Sequence, residues 1–128
     1  MRKIKTEIEQ YLTGSTKEER TLTAKFLFPP DFIGFQGHFP QKKILPGACQ
    51  IQCVLSTIEK GDEHPVTLKE IELAKYFVPV FPDEEVVCTV REVASGDGEA
   101  IFKARITKGS AKATEMKLRV SLPGVEPK

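Results

Sequence analysis

The change of hydrophobic period at Gly61 constrains the fold of this chain more than any other feature. From Pro46 to about Lys60, Ala48, Ile51, Leu55 and Ile58 recur at three- and four-residue spacing, with Val54 flanking them. One face of a helix is therefore apolar. Pro46 near the start and Gly61 after the end fit helix boundaries. Everything beyond Gly61 reads as β. Val66–Phe77 forms a strand that runs into Pro79 and Pro82, and Val86, Cys88 and Val90 alternate with polar positions. Phe102, Ala104 and Ile106 do the same after the turn Ser95-Gly96-Asp97-Gly98. Met116, Leu118, Val120 and Leu122 alternate strictly with Glu115, Lys117, Arg119 and Ser121, which suits a sheet with one solvated face. Lys108-Gly109-Ser110 is a short hairpin connection. A single helix packed on a mostly antiparallel sheet is an α+β layout. One helix covers only part of such a sheet, so the remaining apolar surface predicts a dimer.

Upstream of the helix the pattern is weaker. Residues 1–19 form a polar, variable N-terminal segment with Gly14-Ser15-Thr16 as a turn. Ile4, Ile8 and Leu12 fit either one or two helical turns or an early strand. Residues 20–28 alternate as a strand that Pro29-Pro30 ends, and residues 31–45 read as an ordered loop punctuated by glycine and proline. Residues 123–128 are a flexible tail. Residues 1–128 are expected to form a single domain. A composition of 40% hydrophobic and 29% charged residues is globular, and a net charge of +1 gives no electrostatic case for nucleic acid or a membrane surface. No apolar run approaches the roughly 20 residues that cross a bilayer. Met1-Arg2-Lys3-Ile4-Lys5 is basic with no apolar stretch behind it, unlike a secretory signal. Three cysteines, an odd number, argue against a disulfide framework, and a reducing cytoplasm is expected.

The chemistry is concentrated between Gly37 and Gly47. His38 sits in a loop tightened by glycine and proline, and Pro46-Gly47 falls at the first turn of the apolar helix. A titratable base is thus paired with a helix N-terminus whose N–H groups can hold an anionic oxygen. Cys49 and Cys53 lie one helical turn apart. A first-turn thiol can have a lowered pKa, but the pair is read as buried filler. A four-ligand zinc site needs two more residues, and only His38 and His64 offer imidazoles, so no metal is expected. His64, beside Pro65, reads as a surface turn residue. Lys42 and Lys43 read as a solvated pair rather than a phosphate site.

Gly37-His38-Phe39-Pro40, then Ile44-Leu45-Pro46-Gly47, then an apolar helix, resembles the active-site segment of the β-hydroxyacyl-acyl carrier protein dehydratases. Lys75-Tyr76-Phe77-Val78-Pro79-Val80-Phe81-Pro82-Asp83 looks like a second stretch of the same family, and Phe35 also fits. The resemblance covers about residues 20–122. It implies a hot-dog fold, in which a curved antiparallel sheet wraps a central helix and dimers carry the active site at their interface. It also implies that His38 abstracts the α-proton of a 3-hydroxyacyl thioester and that the Gly47 N–H polarises the thioester carbonyl. Phe39, Pro46 and Ser56 would contact substrate. The family places an Asp or Glu fourteen residues after the histidine, where this chain has Gln52. An amide hydrogen-bonds but is no Brønsted acid near neutral pH. Glu59, two turns further on, lies roughly 10.5 Å away along the helix axis, too far to substitute directly. Lys43 stands where the family often has proline, and Ser56 where many members have glutamine.

The implied activity is elimination of water from a 3-hydroxyacyl thioester in fatty-acid or specialised acyl biosynthesis. No cofactor is implied beyond the phosphopantetheine arm of acyl carrier protein. The implied partners are that carrier and a second subunit, in a homodimer or a heterodimer with a paralogue. Two alternatives stand beside it. One is a non-catalytic hot-dog protein that binds acyl chains or carrier protein or supports a paralogue, as the loss of the helix carboxylate suggests. The other is a hot-dog thioesterase, which usually needs a carboxylate in or near the helix.

Overall fold

A computed structural model describes residues 2–35 and 43–123. Helix α1 spans Arg2–Gln10 and strand β1 spans Leu12–Glu18. The N-terminal segment therefore forms both elements between which the apolar spacing did not decide. Gly14-Ser15-Thr16 is not a turn. It lies inside β1 and pairs with Lys25, Ala24 and Thr23 of β2 (Thr21–Leu27). Gly14 follows a register shift after Leu12, where a missing side chain suits a bulge. The reversal falls instead at Glu19-Arg20, with Glu19 at φ 52°.

After a 3₁₀ turn at Ile33–Phe35 and the segment 36–42, helix α2 runs from Gly47 to Asp62. Gly61 lies within α2 rather than after it. A Cβ there would stand 2.4 Å from Cδ2 of Leu22, so the glycine lets the helix approach β2 closely. The helix is closed by Glu63, at φ 59°, whose N–H donates to the Glu59 carbonyl at 2.9 Å. The chain then forms β3 (Thr67–Tyr76), β4 (Glu85–Gly96), β5 (Glu99–Lys108) and β6 (Ala111–Ser121). Asp97 and Gly98 both have positive φ, as a type I′ hairpin requires, and Gly109, at φ 57°, opens the next hairpin.

All pairings are antiparallel, in the order β1-β2-β4-β5-β6-β3. Register shifts at Leu68/Glu70, Ile71/Leu73 and Glu92/Ala94 bend the long strands. Phe26, Val86, Cys88, Val90, Phe102, Ile106, Met116, Leu118 and Val120 are buried on the inner face, with Cys53, Val54 and Ile58 of α2 in the same core. The curved sheet around α2 is the hot-dog arrangement. The α+β expectation holds, with a second helix, α1, packed on α2.

The segment entering the site is held by aromatic packing. Phe28 and Phe32 have ring centroids 4.6 Å apart, Phe28 stacks on Phe26 at 5.8 Å, and Phe35 meets Phe32 edge-on at 5.6 Å. Phe28 and Phe32 are fully buried. Phe28→Ala should therefore cost about 3–5 kcal/mol, read as a lowered urea midpoint with an unchanged slope.

Candidate active site

His38 and Phe39 lie outside the described residues. The site is therefore built from the start of α2 and the segment after β3. Pro46 is the N-cap of α2 in extended backbone, with φ −65° and ψ 153°, and no side chain caps the helix. Among the described residues nothing accepts from the Gly47 N–H. Such an N–H is one of the orphan donors of a helix start, and it carries the positive end of the helix dipole.

The helix start is fastened on three sides. Leu45 N–H donates to the Val80 carbonyl at 2.8 Å. Gln50, buried, donates through Nε2 to the Leu45 carbonyl at 3.1 Å. Thr114 of β6 donates to Gln50 Oε1. Gln50 thus links the loop, the helix and the sheet, a role its sequence position gave no sign of. The segment after β3 is pinned in turn: Phe81 N–H donates to Glu84 Oε1 at 2.7 Å, and Lys108 Nζ reaches the same oxygen at 3.0 Å while lying over the Phe81 ring. The Phe81 N–H and then Lys108 hold the Glu84 carboxyl below its ordinary range.

These restraints bring the two sequence motifs together. Ile44, Leu45, Pro46, Gly47 and Gln50 face Tyr76, Phe77, Val78 and Pro79 across an open groove of about 350 Å³. Tyr76 Oη lies 2.6 Å from the place a Cβ at Gly47 would occupy. Glycine is therefore required for the phenol to sit over the helix start. Burial raises the Tyr76 pKa, so the phenol keeps its proton. Pro46 lines the groove directly.

Gln52 and Ser56 do not line this groove, and Ser56 meets α1 instead. Gln52 is only 9% exposed, and its Nε2 donates to Ser56 Oγ at 3.0 Å. Ser56 is fully buried and donates to Glu9 Oε2 of α1 at 2.8 Å. Glu59 is not directed at Gln52. It pairs with Lys5 at 2.6 Å and accepts from the Val66 N–H at 2.8 Å. Lys43 donates to the Pro30 carbonyl at 3.0 Å from an exposed position; Lys42 lies outside the described residues. His64 is near the surface, with Nδ1 3.2 Å from the Pro65 carbonyl oxygen.

The cysteines are packing residues. Burial pushes the Cys49 thiol up to about 11 and Cys88 to about 12, and raises Cys53 well above its usual range. The helix-start position of Cys49 does not activate it, because desolvation of the thiolate dominates. Native protein treated with a maleimide at pH 7.5 should label Cys49, Cys53 and Cys88 far more slowly than protein unfolded in urea, as mass spectrometry would show. Among the described residues no cluster of three His, Cys, Asp or Glu side chains could hold a metal, and no helix is long and apolar enough to cross a membrane.

Comparison with known proteins gives a consistent answer. The ApeI-like family model, described as ApeI dehydratase, matches residues 14–116. A curated relative, the 3-hydroxyacyl-acyl-carrier-protein dehydratase FabZ of Ehrlichia chaffeensis, is 36% identical over 64 residues. That match spans 46% of this chain and 45% of the relative, less than half of either. Among solved structures, the dehydratase heterocomplex ApeI:P from Xenorhabdus doucetiae superposes with a TM-score of 0.75 at 18% identity, covering 86% of this chain and 96% of that one. A thioesterase from Staphylococcus aureus superposes with a TM-score of 0.69 at 15% identity, covering 88% and 94%. At such identities the structural matches speak for the fold alone.

Proposed function

The chain belongs to the ApeI-like dehydratase family, and we propose that it eliminates water from a 3-hydroxyacyl thioester delivered on acyl carrier protein. The observation that carries this reading is the uncapped start of α2 at Gly47, opening on an apolar groove built from both motif segments. An apolar groove with one fixed donor suits an acyl thioester, whose tail is apolar and whose carbonyl oxygen gains charge during enolisation.

In the proposed reaction His38 takes the α-proton, and the Gly47 N–H stabilises the enolate oxygen. The C3–O bond then breaks, the α,β double bond forms, and hydroxide departs as water with a proton returned from the imidazolium or through a water. Gln52 hydrogen-bonds the 3-hydroxyl and supplies no proton. Pro46 and Phe39 contact the substrate, and Ser56 contributes from behind Gln52. No cofactor is needed beyond the carrier's phosphopantetheine arm.

The assembly we propose is a dimer formed through β3, in the cytoplasm. β3 is an edge strand, and Ile71 and Tyr76 on it and Phe77 after it are 45–51% exposed. Long edges of this kind are normally paired or covered. The partner is a second copy or a paralogue, and the ApeI:P neighbour is itself a heterocomplex. A monodisperse monomer at micromolar concentration would count against it.

A single-turnover assay with 3-hydroxydecanoyl thioester on acyl carrier protein tests the activity, read as formation of the conjugated enoyl product. Binding without turnover would favour the non-catalytic reading, which the amide at position 52 supports. Release of free acid would favour thioester hydrolysis.

A further inference from the structure

The carboxylate that α2 lacks at position 52 is present one helix away. Glu9, on the last turn of α1, accepts from Ser56 Oγ at 2.8 Å, and Ser56 Oγ accepts from Gln52 Nε2 at 3.0 Å. The chain of bonds has a forced direction. Glu9 is the acceptor of that bond, and a serine hydroxyl has a single proton to give. Ser56 spends that proton on Glu9 and is left with lone pairs alone toward Gln52. The Gln52 amide must therefore turn its NH₂ group toward Ser56 and its Oε1 away from it. Among the described residues nothing donates to Oε1. Ser56 is fully buried and Gln52 only 9% exposed, so the Gln52–Ser56 bond is shielded from competing water, while Glu9 is half-buried.

We propose that Glu9, acting through Ser56, locks Gln52 with its carbonyl oxygen turned away from Ser56 and free to accept, making position 52 an acceptor that recognises the 3-hydroxyl of a 3-hydroxyacyl thioester. Glu9 is a positioning residue. The inference rests on the dehydratase reading for its substrate, while the lock itself is a property of the free protein. An acceptor at this place discriminates by chemistry: a 3-hydroxyl has a proton to donate, whereas a 3-oxo group has none and leaves two acceptors face to face. Pairing a buried polar group with a ligand that lacks the matching partner is a strong source of rejection.

Two measurements test this, using the full chain with Glu9→Gln and Ser56→Ala. The first follows the Gln52 side-chain amide by ¹H–¹⁵N NMR without ligand. The wild type should show an Nε2 proton whose exchange is slowed about tenfold or more relative to a free amide. Ser56→Ala should lose that protection, and Glu9→Gln should lose much of it, because an amide at position 9 can donate to Ser56 and let the chain reverse. Glu9→Asp, which keeps an acceptor, should retain more protection than Glu9→Gln. The second compares binding of 3-hydroxydecanoyl- and 3-oxodecanoyl-pantetheine. The wild type should favour the hydroxy ligand by about tenfold or more, and Glu9→Gln should bring the ratio close to one.

Unchanged Gln52 amide signals in both Glu9→Gln and Ser56→Ala would overturn the lock, even if the protein is an active dehydratase. A lock that holds while neither pantetheine ligand binds would overturn the substrate-facing half of the proposal and the dehydratase reading with it. An unchanged ligand preference in Glu9→Gln would show that Glu9 is structural only.

Discussion

Replacing His38 by alanine should abolish dehydration, leaving no more than about 10⁻²–10⁻⁴ of the wild-type single-turnover rate. The α-proton of a thioester is weakly acidic, and an N–H at the helix start stabilises the enolate only after something has removed that proton. Of the two histidines, only His38 stands in the loop leading to Gly47, and imidazole is the side chain whose ordinary titration range lies near neutral pH. The circular dichroism spectrum and the unfolding midpoint of the variant are measured beside the rate. That separates a chemical loss from a structural one. A His38→Ala protein that dehydrates at the wild-type rate would end the assignment of the base. Loss of activity accompanied by unfolding would instead point to a structural role for the loop.

What the sequence made legible follows from where each element's stabilisation lies. Helix α2 and strands β4–β6 are buried along one stripe or face for much of their length, so their apolar periods record their environment directly. Helix α1 and strand β1 are not so recorded. Among the described side chains of α1 only Ile8 is fully buried, and the rest of the helix is largely charged or polar. β1 is an edge strand whose residues are mostly exposed, so its pairing with β2 leaves no alternation to read. Gly61 misled for a related reason. Glycine past a periodic run signals a helix end, yet here it answers to the Leu22 side chain against which the helix packs. The candidate site divides in the same way. Pro46-Gly47 and the segment Tyr76–Pro79 were legible as motifs, and the fold places them on one groove. Gln50 and Glu9 were not. Each works through a tertiary hydrogen bond, Gln50 with Thr114 and Glu9 with Ser56, and no local pattern encodes a partner that distant in the chain.

Gln52→Glu should raise the dehydration rate by at least an order of magnitude, because it adds a group able to protonate the departing hydroxyl, a contribution of typically about 10²–10⁴-fold. The gain should carry a stability cost. With Glu9 in place, the new carboxylate and Glu9 both face the single Ser56 proton, and two carboxylates on one donor repel. Lys5, on which Glu9 also acts, is already paired with Glu59 at 2.6 Å. Repulsion favours the protonated form of the introduced acid and keeps it protonated to higher pH. The rate of Gln52→Glu should therefore fall as pH rises through the pKa of that acid. Adding Glu9→Gln should move the fall to lower pH and recover the lost unfolding midpoint, since an amide at position 9 donates to Ser56 and frees its proton for the new carboxylate. His38→Ala should remove activity in every one of these backgrounds. A wild type that is already fast, with Gln52→Glu slower, would mean that the Gln52 carbonyl is itself the working group. The hydroxyl's proton would then come from the imidazolium, water or the partner chain.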